Sequence, residues 1–138
     1  MTESHTPNVL FVCLKNGGKS QMAAALLRAA APENIVVSSA GTKPGQALNA
    51  QSVESLAELG ISVGDEHPKV LTDAMVSAAD VVIVLGSEAH VDHVPGTAFE
   101  TWITDEPSER GIDGLERMRL VRDDIRSRVD DLKARLES

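Results

Sequence analysis

The residues Cys13-Leu-Lys-Asn-Gly-Gly-Lys-Ser20 bring together a nucleophile, a pair of glycines, a pair of lysines and a serine, and Cys13 is the only cysteine of the chain. A lone cysteine is more often a small buried hydrophobe than a reagent. Position changes that reading here. The apolar run 8–12 ahead of the loop reads as a buried strand, and the segment 21–30 behind it is rich in strong helix formers. A strand that passes through a glycine-containing loop into a helix start presents unpaired backbone N–H groups and the positive end of the helix dipole. Such a loop cradles an oxyanion, and a cysteine at its mouth is favoured as the thiolate that attacks it. The nucleotide-binding loop G-x-x-x-x-G-K-[ST] is the competing reading. Gly18-Lys19-Ser20 fits its end, but its first glycine falls on Cys13. The later apolar run 81–85 also ends at Gly86, without the metal-holding aspartate that such a site needs.

The elements that must position this loop follow from periodicity and punctuation. A first strand is expected over 8–13 and a first helix over 19–31, stopped by Pro32. A second strand is expected over 35–39, ended by Gly41. Asn49 can cap a helix carrying Val53, Leu56 and Leu59, with Gly60 as its stop. Thr72 can cap another over 74–79, Asp80 leads into a third strand, and 97–104 reads as a fourth. Met118, Val121, Ile125, Val129, Leu132 and Leu136 form one apolar stripe on a long last helix, whose charges read as a solvated face. Strands and helices alternate, so an α/β fold is expected, with a four-stranded parallel sheet, helices on both faces and function at the carboxyl ends of the strands. No repeat or linker interrupts the chain. A single domain over 1–138 is expected, with 1–7 as a flexible polar tail.

Composition sets the partners. The formal charge is −8, which argues against nucleic acid. Lys15 and Lys19 are local positive charges on an acidic chain; Lys15 can steer an anion or a thiol, or simply face solvent. Aromatics are only 2 %, so Val, Leu, Ile, Ala and Met, including Met22 and Met75, must build the core. No apolar run is long enough to span a membrane and the start resembles no signal peptide, so no membrane partner is expected. One cysteine cannot form an internal disulfide, which fits a reducing, cytoplasmic setting. His67, His90 and His93 share no ligand spacing with Cys13, so no metal is expected. The sequence leaves room for a homodimer without requiring one.

The Cys-x5-basic-Ser loop after the first strand resembles that of the low-molecular-weight protein tyrosine phosphatases and the arsenate reductases sharing their fold. Ser38-Ser-Ala-Gly-Thr42 is similar to the turn after the family's second strand. Trp102-Ile-Thr-Asp-Glu-Pro107 stands in the place of its acidic-Pro motif, and 119–125 looks like its last helix. The likeness extends over about 8–136. It implies a low-molecular-weight phosphatase-like fold and a Cys13 nucleophile, with the oxyanion held by the loop Leu14, Lys15, Asn16, Gly17, Gly18, Lys19 and Ser20. Lys19 adds charge, Asn16 fixes the loop shape, Gly17 and Gly18 supply backbone angles, and Ser20 either donates to the sulfur or caps the helix. A general acid is implied at Asp105 or Glu106: family register points to Glu106, residue type to Asp105.

Within the family, Ser20-Gln-Met-Ala23 resembles the reductases, and no aromatic wall for a phosphotyrosine ring is evident. Lys19 stands where most relatives have arginine, whose planar fork grips two oxygens where lysine offers a point charge. Thioredoxin-coupled reductases carry two further cysteines, which fall here on Gly86 and His93, and a potassium-binding glutamate of some relatives falls on Ala24. The resemblance therefore implies an arsenate reductase for arsenic detoxification with no bound cofactor and an external thiol. The chain resembles most a group with the same Asn-Gly-Gly-Lys loop and a solitary cysteine that uses mycothiol as co-substrate and mycoredoxin as partner, and this resemblance implies an arsenate–mycothiol transferase. A phosphatase of the same fold and a non-catalytic oxyanion-binding protein are the alternatives.

Overall fold

The computed structural model describes residues 6–137. Strands β1 (Asn8–Cys13), β2 (Val36–Gly41), β3 (Val81–Leu85) and β4 (Ala98–Trp102) form one all-parallel sheet in the order β2-β1-β3-β4. Helices α1 (Lys19–Ala30), α2 (Ala50–Ala57), α3 (Asp73–Ala78) and α4 (Gly114–Glu137) connect and cover it. β1 is central and buried beyond Asn8, as a strand covered on both faces must be. Side chains alternate across the sheet, so Phe11 and Cys13 join Ile83, Leu85 and Trp102 on the face packed by α1, α2 and α4. Leu10, Val12, Val82 and Val84 face Val76 of α3 and Val91 of the following loop. Helices thus lie on both faces, as the alternation of elements predicts. Met22 is fully buried, whereas Met75 only borders the second core.

Both predicted caps are present: Asn49 accepts the Ser52 N–H at 3.0 Å and Thr72 accepts that of Met75 at 3.2 Å. Gly60 follows α2 with φ +75°, the left-handed stop. The second strand runs on through Gly41 because Gly41 pairs with Cys13. The fourth is shorter than expected: it ends at Trp102, and the Ile103 carbonyl is taken by Arg128 of α4 at 2.9 Å. A 3-10 helix, Pro107–Arg110, was not expected. Of the tail expected over 1–7, residues 1–5 lie outside the described residues, and Pro7 is already tied, its carbonyl accepting the Val36 N–H at 2.8 Å. No helix among the described residues is long and apolar enough to cross a membrane.

The α4 charges are not simply solvated. Arg122 is 8 % exposed and donates to the Ser55 carbonyl at 2.8 Å and to Glu58 at 2.9 Å. Arg119 also bonds Glu58, and Arg135 grips Glu100 of β4. These pairs are long-range, so no local charge pattern announces them.

Candidate active site

Parallel strands bring their carboxyl ends to one edge. Cys13, Gly86 and the segment after β4 therefore share that edge, with β3 between the first and the last, a separation of roughly 10 Å for two strand spacings. The loop 14–18 closes over the end of β1 and is clamped from outside. The N–H groups of Thr42, Lys43, Gly45 and Asn49 donate to the carbonyls of Cys13, Leu14, Lys15 and Gly17 at 3.3, 2.8, 3.0 and 2.6 Å. With its carbonyls drawn outward, the loop turns its donors inward. Among the described residues, the N–H groups of Leu14, Lys15, Gly17, Gly18, Lys19 and Ser20 have no acceptor. Several convergent donors at a helix start are an arrangement that can hold an oxyanion.

The left-handed turn of the loop belongs to Asn16, at φ 52°, and not to Gly17 or Gly18, neither of which has positive φ. Asparagine tolerates that region because its short amide bonds locally. The glycine requirement is instead one of space: a Cβ on Gly17 would stand 3.1 Å from the Ala47 carbonyl oxygen. Fully buried Asn16 is a hub. Its Oδ1 accepts the Lys69 N–H at 2.9 Å and Gln21 Nε2 at 3.1 Å, and its Nδ2 donates to Ser20 Oγ at 2.7 Å. A backbone N–H can only donate, so Lys69 fixes which end of the amide is oxygen.

Ser20 Oγ lies 2.9 Å from Cys13 Sγ, and the Asn16 N–H reaches the same sulfur at 3.3 Å. Since Ser20 Oγ already accepts from Asn16, its own proton is free to point at sulfur. Two donors thus converge on one sulfur. The capping role for Ser20 is not observed: Gly18 is the N-cap and Ser20 is the second helical residue. Lys19 opens α1, half-buried and without an ion-pair partner among the described residues. Lys15 is exposed.

Asp105 and Glu106 sit beyond β4 at the same edge, each held by an arginine. Arg110 bonds both oxygens of Asp105 at 2.8 and 3.0 Å and keeps its carboxyl below the ordinary value. Arg117 bonds both oxygens of Glu106 at 2.7 and 2.8 Å; mainly for that reason, with Ser108 assisting against burial, the Glu106 pKa is lowered to about 2. Asp124 accepts the Asp105 N–H at 2.8 Å and fixes the start of this segment. Both carboxylates are ionised near neutral pH in this arrangement. Neither bonds to the loop 14–20.

Gly86 follows β3 with φ +94° and donates to the Trp102 carbonyl. Exposed His93 stacks on Phe99 with ring centroids 4.0 Å apart. Ala24 is buried in α1. Sequence reasoning missed the clamp 42–49 and the Lys69 contact. The strand-ending Gly41 and the Lys43-Pro44-Gly45 turn hinted at the first; nothing local marks the second.

A glutaredoxin arsenate reductase of Synechocystis is 28 % identical over 131 residues, 93 % of this chain and 97 % of that protein. An arsenate reductase of Staphylococcus aureus is 26 % identical over 130 residues, 92 % of this chain and 96 % of the relative. Among solved structures, the thioredoxin-dependent arsenate reductase Cg_ArsC1′ of Corynebacterium glutamicum superposes with a TM-score of 0.83 at 32 % identity; the match covers 99 % of this chain and 64 % of that one. Residues 8–138 match the family signature directly, and the chain belongs to the low molecular weight phosphotyrosine protein phosphatase family.

Proposed function

We propose that this chain is an arsenate reductase that uses an external thiol. One observation carries the reading: the sole cysteine of the chain faces a cradle of free N–H donors, with two further donors on its sulfur. The arsenate reductases among its relatives support the choice of oxyanion. So does the absence of an aromatic wall: Phe11 and Trp102 pack together in the core, and Phe99 lies against His93.

Cys13 thiolate attacks arsenic, a sulfur–arsenic bond forms, and an arsenic–oxygen bond breaks. The loop N–H groups and the Lys19 charge hold the remaining oxygens. The departing oxygen leaves as water. Its proton comes from Asp105 or Glu106 once released from its arginine, or from an arsenate hydroxyl. Reduction to arsenite takes two electrons, hence two thiols, and Gly86 and His93 supply none. Mycothiol thiolate then attacks arsenic and Cys13 departs with its electron pair, leaving an arsenate–mycothiol adduct with arsenic still pentavalent. A mycoredoxin thiolate attacks the mycothiol sulfur; a disulfide forms and arsenic keeps the bonding pair, becoming arsenite. The chain itself is then a transferase, working in the cytoplasm, where a lone thiol stays reduced.

The test is arsenate turnover by the purified chain under alternative thiol systems. Thioredoxin, its reductase and NADPH alone should give no sustained reduction, because disulfide exchange needs an attacking thiolate. Mycothiol with mycoredoxin should restore it, Cys13→Ser should abolish it, and Cys13 should be a free thiol after turnover. Many turnovers on thioredoxin alone would overturn the external-thiol reading. The family membership keeps phosphate-ester hydrolysis as the second reading, and aryl phosphate hydrolysis that outpaces arsenate turnover would favour it.

A further inference from the structure

We propose that Gln21 is a positioning residue for Cys13, acting through the Asn16 amide. Gln21 is the third residue of α1 and 2 % exposed. Its Nε2 donates to Asn16 Oδ1 and to the His67 carbonyl, both at 3.1 Å, while its Oε1 has no hydrogen-bond partner. A buried oxygen left without a donor is a cost that an apolar side chain of similar length would avoid. What the position retains glutamine for is its pair of N–H donors.

Their effect follows from the two ends of the Asn16 amide. With Oδ1 held by Gln21 and Lys69, Nδ2 must face Ser20 Oγ, and the Ser20 proton is left for Cys13 Sγ. Were the amide to turn over, Oδ1 would face Ser20 and take that proton, and the sulfur would lose a donor. Gln21 also ties the 67–69 segment to the loop, so both supports of Asn16 Oδ1 move together.

For arsenate turnover the inference rests on the proposed function, but its primary measurement does not. Alkylation of Cys13 by iodoacetamide at a pH below the midpoint of its own pH–rate profile, where the rate follows the thiolate fraction, needs no substrate. Gln21→Met, which keeps the length of the side chain and removes both donors, should slow alkylation about 3- to 10-fold, the effect of weakening one hydrogen bond. Gln21→Glu, which places an acceptor against two acceptors, should slow it further. The arsenate kcat should fall in parallel, with KM changed no more than about twofold. A merely structural role would lower the melting temperature and leave alkylation of the folded protein untouched. A folded Gln21→Met protein that alkylates at the wild-type rate overturns the proposal. In the unmodified chain, the Gln21 side-chain NH2 should exchange with solvent far more slowly than that of exposed Gln46 by 15N NMR; equal rates would overturn it even if the variants failed to fold.

Discussion

The Cβ that Gly41 lacks would lie 2.8 Å from the Leu14 carbonyl oxygen, and 2.9 Å from the Asn16 nitrogen. Both are backbone atoms of the loop 14–18 and cannot swing aside as a side chain would. Gly41→Ala should therefore displace the loop, lowering stability by about 1–3 kcal/mol, the range for overpacking, and weakening oxyanion binding with it. Thermal unfolding and titration with arsenate or phosphate measure the two effects. Unchanged anion affinity would show that the loop does not need this close backing.

Lys19 offers a point charge at the start of α1 where a guanidinium would offer a fork. Lys19→Arg should raise hydrolysis of an aryl phosphate without any new nucleophile, as measured by steady-state release of the phenol. Wild-type hydrolysis already as fast as that of arginine-bearing relatives would assign the lysine no limiting part.

The general acid can be identified through its arginine. Removing Arg110 releases Asp105, and removing Arg117 releases Glu106, so each carboxyl pKa should rise toward its ordinary value. A raised pKa increases the protonated fraction, so the activity of a chain limited by that acid should extend to higher pH. The pH–rate profiles of Arg110→Ala and Arg117→Ala should differ: the one that moves marks the acid. If neither moves, the proton comes with the oxyanion.

Glu58 holds the end of α2 to α4 through Arg119 and Arg122, and these hydrogen bonds, Arg119 first, bring its pKa from 4.5 to about 2. A carboxyl depressed in the folded state stabilises above its ordinary value and loses that contribution as pH falls through the folded one. The melting temperature should therefore drop between pH 4.5 and about 2. Glu58→Gln should flatten that part of the profile, and an unchanged acid limb would rule out this pair as its source.

Local features were readable because the physics behind them is local. Asn49 and Thr72 announce helix starts through short side chains that reach back to the next turn, and Gly60 ends α2 because it can turn left-handed. The cysteine and the loop that follows it were visible for the same reason, as strand, turn and helix are consecutive. The features that were not readable depend mostly on relations between distant residues. Gly17 and Gly18 look like the conformationally special positions, yet the left-handed residue is Asn16, held there by Lys69, 53 positions on. Of the two roles the sequence leaves open for Ser20, cap and sulfur donor, the contact with Cys13 at 2.9 Å favours the second. The arginines of α4 look like a solvated face because their partners Glu58, Glu100 and Glu106 lie on other elements.

The outward clamp on the Cys13, Leu14, Lys15 and Gly17 carbonyls has a consequence for selectivity. A cradle braced from behind is shaped before any guest arrives and has little freedom to widen or shrink around one. Phosphate and arsenate share tetrahedral form and charge, so such a cradle must admit both. For a chain that works on arsenate, discrimination then falls on reactivity, because arsenic exchanges its oxygens for sulfur far more readily than phosphorus does. On that reading phosphate is a guest that occupies the site unconverted, and arsenate turnover follows the ratio of the two anions rather than the arsenate level alone.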